Sequence, residues 1–399
     1  PDQIYDITAW SLPLMFDVEV ATSAAAITAR ATPVPAAYDA PMPARTVGAA
    51  TVGYLVPWGA AAAALTVDAT AQGIRVHSVG GAFTLGGRTY PIGTALIRTA
   101  GNPADLTQRM SALATKHGAE VVPIDSAYIE SGTSLGSNDV AFVKAPRVLL
   151  VWDQPTSSLS AGWTRWVLER RYGQKTTTVR AGSLGRVNFA DFDVVVLPSG
   201  TYGDAIGGAV LSRLKDWIRL GGTLVTLADA TRWAATSAAG LLDTNALLKD
   251  GKPDVPPAAN ATNAGASATP DFDKAIQPDR ERPDAQPGAL LRATVDVDHW
   301  LSAGQDAETQ VVIEGSRVFA PIKLNAGRNV VYYADKEHLV ASGLIWPEGQ
   351  DLLVRKAYLM HQPMGQGHVI GFAEDATYRG YAEATMLLFM NAVLLGPAF

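Results

Sequence analysis

The sequence predicts an α/β protein: a doubly wound, mostly parallel sheet preceded by a smaller α/β domain. Apolar runs such as "RVLLVWD", "DFDVVVLPSG" and "TLVTLAD" alternate with amphipathic stretches such as "SAGWTRWVLERRYG" and "AVLSRLKDWIRLGG". That is the rhythm of parallel strands joined by right-handed crossovers. A second, shorter strand–helix series stands before it, and 399 residues exceed the size at which one core stops growing. The expected division is a connector over 1–45, a small α/β domain over 46–145, and the larger α/β domain over 146–399, with a surface insertion at about 240–290.

The chain opens on the apolar "YDITAWSLPLMFDVEV" and continues into "ATPVPAAYDAPMPAR", whose prolines oppose both helix and central strand, so an extended connector is expected. From about residue 50 come a strand ("TVGYLVPW"), an Ala-rich helix at 59–72, a strand ("RVHSVG"), a glycine-turned hairpin ("AFTLGGRTYPIGTALIRT") and a helix in "NPADLTQRMSALATKHG". Asn102-Pro103 reads as the start of that helix and Gly118 as its stop. The larger domain follows in the order quoted above, with the glycines after "DWIRL" expected as a C-cap. Residues 250–288 are rich in Pro, Ala, Asn and Asp and read as an insertion across the surface. The closing "GQGHVIGFAEDATYRGYAEATMLLFMNAVLLG" reads as strand, loop and C-terminal helix. The pairs Trp163/Trp166 and Trp217/Ile218 have helical placement and are expected in the core.

Composition removes several function classes. With 18% charged residues and a net charge of −6 the chain reads as a mildly acidic globular protein, and its scattered basic residues do not form a nucleic-acid footprint. No run of about 18 apolar residues occurs, so no membrane span is expected. The absence of cysteine excludes disulfides, thiolate metal sites and cysteine nucleophiles. Pro1 is not preceded by a signal-peptide pattern, and the chain is expected to be a piece of a longer protein.

Three constellations could carry chemistry. His117 and Glu120 in "HGAE" have the spacing of two zinc ligands, but the nearest downstream histidine, His299, lies in another module, and a histidine near a helix end has a structural role. The corner Ala228-Asp229-Ala230-Thr231 follows a buried strand, where a nucleophile on a sharp turn would stand. It offers no cysteine, serine or flanking glycine, and Asp229 is expected to cap the helix or to bind a ligand beyond the strand ends. Polar residues after the other strands fall on the same rim: Asp153, Gln154 and Ser157; Ser199 and Tyr202; Glu374, Asp375, Tyr378 and Arg379. From this rim, Asp153, Ser199, Tyr202, Asp229, Glu374 and Arg379 are the candidate ligand-binding residues, although turn and capping roles account for most of them equally well. No phosphate-binding glycine motif precedes a helix.

The segment "YDITAWSLPLMFDVEV" resembles the end of the catalytic domain in large bacterial proteins of the zinc carboxypeptidase (carboxypeptidase A) type. "IDSAYIESGTSLGSNDVAFVKAPRVLLVWDQPTSSLSAGWTRWVLERRYG" is similar to the region that follows it and enters a class I glutamine amidotransferase-like, or flavodoxin-like, fold. The resemblance implies a C-terminal accessory region serving binding or assembly. Its partner would be the peptidase domain of the same parent, its location periplasmic or secreted. Zinc and the catalytic Glu would belong to that preceding domain, leaving no cofactor in this chain. It also implies a degenerate amidotransferase-like module, because the nucleophile position falls near Asp229 and Ala230. Two alternatives from the residues are a stand-alone carbohydrate- or peptide-binding module and a hydrolase using Asp229 as nucleophile.

Overall fold

Two main sheets organise the chain in the computed structural model, which describes residues 11–16, 18, 20–30, 33, 44–255, 276, 278 and 280–399. Most of the expected connector and the centre of the expected insertion lie outside the described residues. After a short helix α1 (Leu12–Phe16), the first series is β1 (Gly53–Val56), α2 (Ala60–Ala71), β2 (Val76–Val79), β3 (Phe83–Leu85), β4 (Arg88–Tyr90), β5 (Ala95–Arg98), α3 (Leu106–His117), β6 (Val122–Ile124), β7 (Ser131–Gly132) and β8 (Val140–Val143). Five of these strands pair in the order β6-β1-β5-β2-β8, all antiparallel, and β4-β3-β7 make a small second sheet. Strand periodicity divides the core: Tyr54 and Val56 face α2 and α3, while Leu55 faces Phe83 and Tyr90 of the small sheet. The β3–β4 turn closes on Gly86 and Gly87, whose φ values of 61° and 72° are what a two-residue hairpin turn requires.

The second series is β9 (Val148–Trp152), α4 (Ser158–Trp166), β10 (Thr176–Arg180), β11 (Val194–Leu197), α5 (Gly208–Arg219), β12 (Thr223–Leu227), α6 (Asp229–Ala234), β13 (Gln286–Val295), β14 (Glu308–Gly315), β15 (Arg328–Tyr333), β16 (Val340–Leu344), α7 (Pro347–Leu353), β17 (Ala357–Met364), β18 (Gly367–Phe372) and α8 (Glu383–Leu394). They form one ten-stranded sheet, β10-β9-β11-β12-β18-β17-β15-β13-β14, with β16 added to β13. The pairings from β10 through β18 are parallel. Those from β18 onward are antiparallel, so the expectation of a mostly parallel sheet is corrected to a mixed one. The reason is chain length: a parallel neighbour needs a crossover of a dozen or more residues, whereas β17 and β18 are joined only by Gly365 and Gln366.

The parallel half has the order 2-1-3-4-5, with α5 and α6 connecting its later strands. The chain reverses direction across the sheet between β9 and β11, which makes their carboxyl ends the place where a ligand crevice opens. The two series share packing. Helix α8, buried along nearly its whole length, lies against α2, and the buried Trp58 indole donates to Asn391 Oδ1 at 2.7 Å. The Asn391 amide in turn donates to the Leu301 and Ala303 carbonyls.

Three local expectations change. Helix α3 begins at Leu106, not at Asn102, because the Asn102 side chain is engaged with the Arg75 and Arg98 backbone; Gly118 does close the helix, at φ 67°. The insertion begins later than 240, since Leu241, Leu242 and Leu247 are buried and Leu247 bridges to Pro253. Trp217 and Ile218 are buried, but Trp166 keeps 40% of its surface exposed, packing edge-on against Trp163.

Candidate functional site

The rim at the carboxyl ends of β9, β11, β12 and β18 is built by four tight corners. After β9, Asp153 takes φ 66° and accepts from the Gln154 amide. Ser157 then caps α4, accepting from the Ser160 amide, and its own amide donates to the Ser199 carbonyl. After β11, the Ser199 amide donates to Ser160 Oγ and the Ser199 hydroxyl to Asp229 Oδ2 at 3.3 Å. These bonds tie three strand ends together.

The corner after β12 turns on Ala228, at φ 51° and ψ −113°, which is where the strand breaks into α6. A non-glycine residue at positive φ stores strain of order 1–3 kcal/mol and clusters at functional sites. It is the geometry of a nucleophile-bearing strand-to-helix turn, and it falls at Ala228, one residue before the expected Asp229 and Ala230. The corner also corrects the capping role of Asp229: Asp229 is the first helical residue, no side chain caps α6, and its carboxylate faces Ser199 and Arg317 (3.6 Å). Ala230 and Thr231 are buried, and Thr231 Oγ1 donates to the Thr226 and Phe372 carbonyls.

After β18 stand Glu374 and Asp375. Glu374 is 3% exposed and takes charge-assisted bonds from Arg317 on Oε2, while its buried Oε1 finds no hydrogen-bond partner among the described residues. Burial pushes its carboxyl up to about 7; Arg317 opposes the shift, and Asp229 and Glu314 add to it. The same carboxylates hold Arg317 firmly protonated against the pull of its own burial. Burial likewise raises Asp375, opposed by hydrogen bonds from Ser160 and Thr377. Burial raises the phenol of Tyr378, and its hydrogen bond to Glu314 adds to the shift.

Three cavities meet these corners: one of about 850 Å³ runs from Asp229 toward Arg232, Asp254 and Arg280, and two others meet at Ser199. The larger of those two, about 760 Å³, opens between β9 and β11 and is lined by Trp152, Asp153, Ser157, Thr178, Ser199 and Asp229 among others. The smaller, about 240 Å³, shares Ser157, Leu159 and Ser199 with it and continues to Arg317, Glu374, Asp375 and Tyr378. Of the sequence candidates, Asp153, Ser199, Asp229 and Glu374 therefore line one continuous crevice. Tyr202 does not: it is fully buried, with its hydroxyl bonded to the Pro198 carbonyl and Thr156. Arg379, at φ 51°, stacks on the Tyr378 ring outside both cavity linings.

Arg317 and Trp152 were not legible as site residues. Arg317 follows β14, five positions from β12 along the sheet, yet it meets Asp229 and Glu374 at the rim. The one signal was "EGSR", a glycine turn with an arginine beyond a strand. His117 and Glu120 do not converge as metal ligands would: His117 meets Asp68 on α2 at 3.1 Å, and Glu120 is clamped by both ends of the Arg88 guanidinium. Asp68 is held at about 2, since bonds from Lys116, Gln72 and His117 outweigh the upward push of its burial.

A second polar cluster lies at the opposite, amino end of β18. The Leu301 amide donates to His299 Nδ1, which places that ring's proton on Nε2, facing His361 Nδ1 at 3.0 Å; His361 Nε2 then faces His368 Nδ1 at 2.8 Å. Trp300 packs on all three rings. Burial lowers all three, His299 to about 4 and His361 to about 3, so the chain of rings is neutral.

No protein-family model matches the chain, and no curated protein sequence matches it. Solved structures do resemble it at low identity. One described as a ThuA-like protein from Parabacteroides merdae is 12% identical, with a TM-score of 0.41, over 63% of this chain and 90% of its own. PurLQS from Thermotoga maritima is 12% identical, TM-score 0.39, over 62% of this chain and 97% of its own. A β-galactosidase from Bacillus circulans sp. alkalophilus is 11% identical, TM-score 0.35, over 62% of this chain but only 31% of its own.

Proposed function

We propose that the chain is a non-catalytic accessory module that holds a polar ligand in the crevice beyond β9, β11, β12 and β18. In this reading it serves a zinc carboxypeptidase-like catalytic domain in an exported parent protein. The observation that carries the reading is Ala228. The strained corner on which this architecture would present a nucleophile bears a methyl group, while the polar groups around it, Ser199, Asp229, Arg317 and Glu374, are mutually bonded. A binding site needs such convergent polar groups and a cavity; acyl transfer needs a nucleophile beside a base.

The test is metal content of the purified chain by mass spectrometry, with assays for C-terminal residue release and for glutamine hydrolysis. The expected result is no stoichiometric zinc and neither activity. Turnover that disappears in Asp229→Asn would replace this reading with the hydrolase alternative.

A further inference from the structure

Resting on the reading of the crevice as a binding site, we propose that its ligand is a neutral carbohydrate, with Trp152 as the ring platform and Asp153, Ser199 and Asp229 as the partners of its hydroxyl groups. Four observations lead there.

The first is charge. The ions at the mouth are already paired: Arg180 with Asp153 at 3.6 Å, Arg165 with Glu169 at 3.0 Å, and Arg317 with Asp229 at 3.6 Å. An ionic ligand would therefore meet charges already partly compensated, whereas a neutral one needs no counter-ion and finds carboxylate and hydroxyl oxygens with acceptor capacity to spare.

The second is the aromatic surface. Trp152 ends β9 with 40% of its surface exposed, and it lines the 760 Å³ cavity. The Arg180 guanidinium lies over the indole at 5.3 Å and fixes its plane. Leu159, 74% exposed, stands in the wall of both cavities. A sugar presents an apolar C–H face and a rim of hydroxyls, and this wall offers an apolar plate edged by oxygens.

The third is Glu374. It lines the inner cavity with one oxygen bound to Arg317 and the other buried without a partner among the described residues. A buried acceptor left unmade costs about 1–3 kcal/mol, which a ligand hydroxyl recovers once the wall of the inner cavity opens to admit it. The fourth is size. About 760 Å³ lies within the range of small-molecule sites, and the inner 240 Å³ continues it toward Glu374.

The experiment is isothermal titration of the full chain with neutral hexasaccharides of glucose (α- and β-linked), mannose, galactose and N-acetylglucosamine. Uncharged and charged hexapeptides are titrated in parallel, and the sugars are checked for cleavage by chromatography. At least one sugar should bind with Kd below a millimolar. Trp152→Ala should weaken it tenfold or more, and Thr178→Trp, which fills the mouth from the exposed face of β10, should abolish it; both variants should still unfold in a single cooperative transition, Trp152→Ala at a lower temperature for the packing it loses. No sugar binding, or sugar binding untouched by both variants, would overturn the assignment. If peptides alone bind, and Thr178→Trp blocks them, the sugar is wrong and the binding crevice stands. If a sugar binds and is cleaved, the sugar is right and the non-catalytic reading falls.

Discussion

At the scale of single residues, Ala228 is the position where the local geometry departs furthest from what its side chain prefers. Its φ of 51° is open to glycine without strain, whereas Ala230, two residues on, sits in ordinary helix and is fully buried. The two alanines should therefore answer oppositely to the same substitution. Ala230→Gly loses helix propensity of about 1 kcal/mol and a buried methyl of about 0.8 kcal/mol. Ala228→Gly loses the methyl, about 0.8 kcal/mol, and about 0.4–1 kcal/mol to the freer unfolded chain, but regains strain of order 1–3 kcal/mol. Urea unfolding should find Ala228→Gly within about 1 kcal/mol of wild type, and Ala230→Gly about 2 kcal/mol less stable. Equal losses for both would mean that the corner stores no strain. The sequence shows why this position was misplaced by one: "LADATRW" contains no glycine to mark the turn, so the corner was legible from the strand before it, while the residue bearing the strain was not.

At the scale of elements, α8 is the helix that joins the two strand series. It is apolar on every side, with ten of its twelve residues buried, and such a helix belongs inside a protein. Asn391 is its one buried polar side chain with partners in both directions: it accepts from Trp58 and donates to the Leu301 and Ala303 carbonyls. Asn391→Ala leaves one buried donor and two buried acceptors without partners, at about 1–3 kcal/mol each where water cannot enter. The expected loss is about 3 kcal/mol or more, with Trp58 fluorescence shifting as its indole loses its acceptor. Unchanged stability and an unshifted spectrum would remove the bridge from the account. Alternation of apolar and polar residues made the individual strands and helices legible, and the rhythm from β9 to β12 also gave the parallel half of the sheet. The antiparallel half was not legible, because whether β13 through β17 pair as a meander depends on hairpin lengths across an insertion with little periodicity. Of the crevice, the residues directly after β9, β11, β12 and β18 were legible as strand ends. Arg317 was not, since it lies five strand positions from β12 and its contact with the rim is made only by the folded chain.

At the scale of the whole molecule, stability should depend on pH through the three histidines at the amino end of β18. Each is held neutral by burial, with folded values lowered from 6.5 to about 4 for His299 and about 3 for His361, and lowered for His368. The unfolded chain therefore takes up protons below pH 6.5 that the folded chain refuses, and stability falls as pH drops from 6.5 toward the folded values. The effect amounts to about 2 kcal/mol per ring by pH 5 for His299 and His361, a large share of the 5–15 kcal/mol that holds a typical protein. The hydrogen-bond chain reinforces that refusal: a proton added to His361 turns Nδ1 into a donor and sets it against the Nε2 proton of His299. Urea unfolding at pH 7.5, 6 and 5 should show a decline that steepens below 6.5, and His361→Gln, which removes the central ring, should flatten it while lowering stability at pH 7.5. A stability equal at pH 7.5 and 5, or a variant with the same pH slope as wild type, would place the titrating groups elsewhere. The crevice responds in the opposite sense, since Glu374 is pushed up to about 7: protonation of its carboxyl is easier in the folded chain, so its contribution is fully present below pH 4.5 and is lost as pH rises through 7. The two clusters sit at opposite ends of β18, and because their transitions overlap with opposite sign, the gain at Glu374 offsets part of the loss that the histidines cause on acidification.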